Sequence, residues 1–177
     1  MNVNFFVVQG VGILAWLVLL ISYYREDTDK ILIYHVVATS LYCLHYYMLE
    51  AYSGVFICFF EVVRDLLYYK TTKDDYIFVA TIPVYIISGI ISYSKWFDLL
   101  PVASSLFDGY FLTKKRDFVL IGAIISYSLW IIYNIYVMSI AGIIADGLVV
   151  FSNLCILCFG FNPFSFKRKS KESLKLR

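Results

Sequence analysis

The stretch SLWIIYNIYVMSIAGIIADGLVVFSN, Ser128 to Asn153, decides the fold because the chain contains a version of it twice. At an offset of 88 residues, the distance from Gly54 to Gly142, it overlies SLYCLHYYMLEAYSGVFICFFEVVRD, Ser40 to Asp65. Ser40 then meets Ser128, Leu41 meets Leu129, Tyr42 meets Trp130, Gly54 meets Gly142 and Asp65 meets Asn153. Farther out, Leu66 meets Leu154 and Asp29 meets Asp117. Self-similarity over that length is the mark of a duplicated structural unit, and it sets the architecture before single residues are weighed.

Composition fixes the solvent. Hydrophobic residues make up 61% of the 177, charged residues 16%, and the mean hydropathy is +0.76, outside the range of a water-soluble domain. The reading is an all-α integral membrane protein. Phe5–Tyr24 is too long for the apolar core of a signal peptide, lacks a basic leader and has no small-residue cleavage site, so it is expected to be a retained span.

Between charged or glycine-marked breaks the apolar segments run approximately over 5–24, 31–49, 52–69, 76–93, 96–112, 118–137 and 140–161. Each approaches the roughly 20 residues of a helical crossing, and none alternates as a membrane strand would. The expectation is seven transmembrane helices. The fifth, carrying Asp98, Pro101, Ser104, Ser105 and Asp108, is decided by charge. With seven crossings, the Lys and Arg residues at 25, 30, 64, 70, 73, 114–116 and 167–177 share one side, and Lys95 stands alone on the other. Cytoplasmic retention of basic residues then places the N-terminus outside and the C-terminus inside.

An 88-residue repeat among seven helices pairs helices one to three with helices five to seven and leaves the fourth as a linker. Residues 1–73 form the first three-helix unit, 74–95 the linker helix, 96–161 the second unit and 162–177 a basic cytoplasmic tail. An odd linker keeps both units in the same orientation, which is a parallel repeat about an axis along the membrane normal.

The run Leu129-Trp130-Ile131-Ile132-Tyr133-Asn134, followed by Ser139 and Gly142, and the earlier Trp96-Phe97-Asp98-Leu99-Leu100-Pro101, resemble the bacterial inner-membrane family typified by YgjV. The likeness spans nearly the whole chain. The layout is similar to that of the SWEET, PQ-loop and PnuC folds. The resemblance implies a bacterial inner (plasma) membrane location and a small-solute carrier with its site between two bundles. The PQ dipeptide is absent from both repeats, and the helix prolines of SWEET proteins are represented at most by Pro83 and Pro101.

In the third helix Gly54, Cys58, Glu61 and Asp65 recur along one face, and the matching positions of the seventh are Gly142, Asp146, Val149 and Asn153. A mid-membrane carboxylate costs about 2.5–3.5 kcal/mol on insertion scales, so Glu61 and Asp146 should face protein or water. Arg64 is placed to pair with Glu61 or to snorkel toward Lys70. Against a cavity stands a structural reading, in which Glu61, Arg64 and Asp65 satisfy one another and lock helix three to a neighbour. The glycines read as close helix packing. Helices two and six contribute the repeat mates Tyr42 and Trp130, His45 and Tyr133, and Tyr46 and Asn134. Aromatic faces beside amide and carboxylate groups suit a planar, largely neutral solute. The candidate substrate-binding set is therefore Tyr42, His45, Glu61, Trp130, Asn134, Asp146 and Asn153.

His45 reads as a satisfied buried histidine with proton relay as its sharper alternative, and His35 as structural. Cys155-x-x-Cys158 has redox spacing inside a membrane helix, away from the context that gives the motif meaning; with Cys43 and Cys58 these residues read as small apolar groups. No HExxH, GxSxG, P-loop or dinucleotide-glycine pattern occurs, so the expectation is a protein that is not an enzyme and has no cofactor and no metal. The tail KRKSKESLKLR suits anionic headgroups. The lipid bilayer and a small neutral solute are the expected partners, nucleic acid is not, and a homo-oligomer stays open. The alternative to a carrier is a non-transporting structural or regulatory membrane protein.

Overall fold

A computed structural model describes residues 4–23, 28–70, 74–112 and 116–160. Among them are seven α-helices and a 3-10 turn: α1 (Phe5–Tyr23), α2 (Thr28–Met48), α3 (Tyr52–Lys70), α4 (Asp74–Ser92), the turn Trp96–Asp98, α5 (Leu99–Leu112), α6 (Arg116–Tyr136) and α7 (Ile140–Phe159). The basic residues at 25, 73, 114, 115 and 167–177, and the side chains of Asp29, Arg116 and Asp117, lie outside what is described, so the charge split is only partly in view.

By length and apolarity alone, two of the described helical stretches qualify as membrane spans, Phe118–Tyr136 and Ile140–Phe159; Phe5–Ile21 and Tyr76–Ser92 are shorter apolar runs. Polar residues explain the failure of α3, which carries Glu61, Arg64, Asp65 and Lys70. The fifth segment differs from the sequence reading. Its first three residues form the 3-10 turn, leaving α5 with 14 residues, about 21 Å at 1.5 Å per residue. Pro101 is the third residue of α5, where its missing N–H leaves no hydrogen bond unmade.

Polarity is turned inside out relative to a soluble bundle. Gln9, Thr39, Arg64, Asp65, Asn134 and Ser139 are buried, whereas Phe6, Val37, Phe59, Ile90, Ile132 and Phe151 are exposed. Small side chains let the helices close on one another, as membrane helices do when dispersion and hydrogen bonds replace the hydrophobic effect. Ser104 and Ser126 show this at the α5–α6 contact, their hydroxyls 2.6 Å apart and each 3.1 Å from the other's carbonyl oxygen.

Neighbours in sequence pack in order: α1 on α2, α2 on α3, α5 on α6 and α6 on α7. The ring is closed by α1 against α7 and by α3 against α5, and α4 lies outside it against α3 and α5. The two hairpin turns match at the 88-residue offset. Glu50 (φ 58°) and Met138 (φ 59°) each occupy the left-handed position that ends a helix. Ala51 N–H donates to Tyr46 O (3.0 Å) and Glu50 N–H to Tyr47 O (3.1 Å); 88 residues later Ser139 N–H donates to Asn134 O (2.9 Å) and Met138 N–H to Ile135 O (3.4 Å).

Candidate functional site

A cavity of about 100 Å³ lies inside the six-helix ring. Its wall takes Leu19 from α1, Tyr42 from α2, Glu61 from α3, Asp108 from α5, Trp130 from α6 and Asp146 from α7. His35, Tyr46, Cys58 and Arg64 add to its polar and aromatic part.

The face predicted on α3 is the face presented: Cys58, Glu61 and Arg64 line the cavity, with Gly54 and Asp65 buried above and below them. The anticipated Glu61–Arg64 pair does not form. Glu61 Oε1 instead accepts a 2.8 Å hydrogen bond from Ser105 of α5. Arg64 turns to its chain neighbour, Nε and Nη2 both 3.1 Å from Asp65 Oδ1, while Nη1 is 3.5 Å from the Tyr85 hydroxyl on α4. Asp65 Oδ2 takes the second partner, His35 Nδ1 at 2.6 Å. His35 was expected to be structural; it bridges α2 to α3 through Asp65 and also stands at the cavity wall. With Arg64 committed to Asp65, the carboxylates of Glu61 and Asp146 are hydrogen-bonded to neutral groups.

On the opposite side, Asn134 Nδ2 donates to Asp146 Oδ2 (2.8 Å) and Asn134 Oδ1 accepts from the Tyr46 hydroxyl (2.9 Å). Tyr46 and Asn134 are 88 residues apart, the same offset that matches the two hairpin turns. The Tyr46 ring stacks on Trp130 with centroids 5.5 Å apart and planes at 20°. Gly142 admits Asn134 to this place: a Cβ there would lie 2.5–2.7 Å from the Asn134 amide atoms.

Of the seven candidate residues, Tyr42, Glu61, Trp130 and Asp146 line the cavity. Asn134 is fully buried one step behind, holding Asp146 and Tyr46. His45 is also fully buried and away from the wall. Its Nδ1 donates to the Val8 carbonyl at 2.9 Å, and its Nε2 is 2.8 Å from Ser139 Oγ, which is the satisfied-histidine reading. Asn153 is half-buried on α7 and stands outside the wall. The polar stripe of α7 therefore meets the cavity through Asp146 and Val149 and leaves it before Asn153, one turn farther on.

Three groups were not singled out for the site from sequence. Asp108 lines the cavity and Ser105 holds Glu61, both from the short α5. Asp98 accepts from Ser94 N–H (3.0 Å) and Lys95 N–H (2.7 Å) through Oδ2, and its Oδ1 is 3.1 Å from Ser53 Oγ. The signal for Asp98 was present as an acidic residue three positions after Lys95 at the head of an apolar run, the spacing of a capping box. Among the described residues no group of three or more His, Cys, Asp or Glu side chains could hold a metal ion.

A search of curated proteins and a search of solved structures each return no match. A family model described as Imp-YgjV, bacterial inner membrane protein, matches residues 6–159. That span covers all seven helices but for Phe5 and takes in every group that lines the cavity, and the chain belongs to this family of bacterial inner membrane proteins.

Proposed function

We propose that the protein is a small-solute carrier of the bacterial inner membrane, with its site between the α1–α3 and α5–α7 units. The observation that carries this reading is the cavity, which draws its wall from all six helices of the ring and concentrates polar and aromatic groups where a lipid-facing bundle needs none. About 100 Å³ is well below the roughly 300–1,000 Å³ of drug-sized pockets, which favours a small occupant. Trp130, Tyr42 and Tyr46 offer ring surface, and Glu61 and Asp146 offer acceptors that disfavour anions, so the solute is small and largely neutral. The seven helices cross the membrane with the N-terminus outside, a topology supported by the charge distribution of the sequence and the family's location. Reporter fusions after Lys73 and Arg116 should then report cytoplasm, and fusions after Glu50, Lys95 and Ser139 the outside.

Cysteine accessibility tests the site. In a background with the four native cysteines replaced, Trp130→Cys and Val149→Cys should react with a water-soluble maleimide, and Ile131→Cys and Val150→Cys, which are not in the wall, should not. Inertness at all four positions would leave no aqueous cavity and favour the alternative, a structural membrane protein whose Arg64–Asp65–His35 network ties α2 to α3.

A further inference from the structure

We propose that the hydrogen-bonded layer at the Glu50 and Met138 end of the bundle is a gate that seals the cavity on that face, and that solute reaches the cavity from the opposite face, where His35 and Arg64 stand. The proposal rests on the carrier reading and adds to it a direction of access and the residues that control it.

Helices α2 and α6 end in this layer, and α3 and α7 begin there. Each hairpin turn is latched by a side chain from the other hairpin. Tyr133 of α6 reaches the start of α3, where its hydroxyl accepts from Ser53 Oγ (2.8 Å) and Gly54 N–H (3.0 Å) and donates to Ala51 O (3.2 Å). His45 of α2 reaches the start of α7 at Ser139, and the other side of its ring is tied to Val8 of α1. His45 and Tyr133 are equivalent at the 88-residue offset, and so are Ala51 and Ser139, so the two latches are one contact made reciprocally. Gln9 backs the second latch, its Nε2 donating to Met138 O (3.0 Å) and its Oε1 accepting from Ala141 N–H (3.0 Å).

His45, Ser53, Tyr133 and Ser139 are all within 1% of complete burial, and none of them reaches the cavity wall. The far end is built differently. His35 keeps 32% of its side chain exposed while lining the cavity, so the wall reaches the surface of the bundle there. A layer held by hydroxyl, imidazole and backbone groups can exchange its bonds with water as it parts. Loss of the Tyr133 hydroxyl alone removes three of its bonds and leaves the ring in place. Ser53 Oγ lies between Tyr133 and Asp98 Oδ1, and its single hydrogen serves one of them at a time, which makes this latch the looser of the two.

The test is side-specific labelling of Val149→Cys in the cysteine-free background, with a membrane-impermeant maleimide applied to right-side-out and inverted vesicles. Glu50→Cys and Lys70→Cys identify the two faces. Val149→Cys should label from the Lys70 face at least tenfold faster than from the Glu50 face. Tyr133→Phe should raise the Glu50-face rate at least tenfold, and Ser53→Ala should raise it less; should Tyr133→Phe fail to fold, Ser53→Ala carries the test. Equal rates from both faces, or a faster rate from the Glu50 face, would overturn the gate. So would a Glu50-face rate unmoved by either substitution, and in that outcome the carrier reading survives. No labelling from either face sinks the carrier reading itself.

Discussion

Hairpin α2–α3 turns through Glu50 at φ 58° and hairpin α6–α7 turns through Met138 at φ 59°, with the same pair of helix-ending hydrogen bonds in each. Along the cavity the two part company. Glu61 is matched by Val149, Arg64 by Ser152 and Asp65 by Asn153, while Asp146 is matched by Cys58. The α2–α3 side therefore carries the ionisable groups His35, Glu61, Arg64 and Asp65, and the α6–α7 side offers Asp146 with its Asn134 support. The turns repeat because backbone groups leaving a helix must be satisfied in the same way whatever the side chains. The wall is under no such demand. Its unlike halves set Glu61 and Arg64 on one side against Trp130 and Asp146 on the other.

The sharpest way to break this contrast is to remove the charge on one side only. Arg64→Ala takes from Asp65, a buried carboxylate, two of its hydrogen bonds and its permanent cation, and leaves it to His35. Breaking a buried pair by deleting one partner costs about 3–5 kcal/mol. The offset-matched change in α7, Ser152→Ala, should cost no more than about 1 kcal/mol, the scale of a single neutral hydrogen bond. Unfolding in detergent micelles compares the two. Similar losses would mean that the α2–α3 network holds no more of the fold together than its uncharged counterpart.

A smaller effect probes what the hairpins share. A Cβ at Gly54 would lie 2.9 Å from Tyr46 Cγ and 3.1 Å from Tyr133, and one at Gly142 would lie 2.5–2.7 Å from the Asn134 amide, which is fixed by bonds at both ends. Gly54→Ala and Gly142→Ala should each destabilise by about 1–3 kcal/mol, the range for overpacking a filled interior. Gly147, on the same helix as Gly142, has nothing within 4 Å of its would-be Cβ. Gly147→Ala should be neutral or slightly stabilising, because alanine loses less backbone freedom in a helix. Thermal midpoints of the three variants decide whether the glycines mark close packing or merely recur.

Much of the fold was legible in the sequence because its strongest signals are local. Helix existence followed from apolar runs, and all seven helices begin and end within three residues of the predicted segments. The fifth was misjudged at its start, since an apolar run does not distinguish a 3-10 turn from an α-helix when Asp98 is folded back onto Ser94 and Lys95. At the site, spacing placed Glu61 and Asp146 on inward faces but could not choose partners. Arg64 lies three residues from Glu61 and one from Asp65, and helical geometry favours the first. The second won because Asp65 also binds His35, thirty residues away, a long-range contact that no periodicity encodes. Asn153 stands outside the wall for a related reason: the stripe it belongs to continues along α7 after the cavity has ended.

The smallest expected effect concerns Glu61, whose chemistry has no counterpart at Val149. Its carboxylate accepts one hydrogen bond from Ser105, and the nearby Arg64 is held by Asp65. Glu61→Gln retains an amide oxygen able to accept the same bond, and it leaves the contacts of Arg64 with Asp65 and Tyr85 in place. Stability should therefore change by less than about 1 kcal/mol, in contrast to the loss at Arg64, because a neutral acceptor replaces a charged one without orphaning a buried partner. The shape of the wall should survive as well, so maleimide labelling of Val149→Cys in the same chain should stay within about twofold, the change left by an energy difference of roughly 0.4 kcal/mol. What should change is the charge opposite Asp146, and with it the discrimination against anionic reagents: a negatively charged maleimide should label Val149→Cys faster in the Glu61→Gln background, relative to a neutral one. A loss of stability comparable to that of Arg64→Ala would instead make Glu61 part of the ion network, and an unchanged charge preference would remove it from the electrostatics of the cavity.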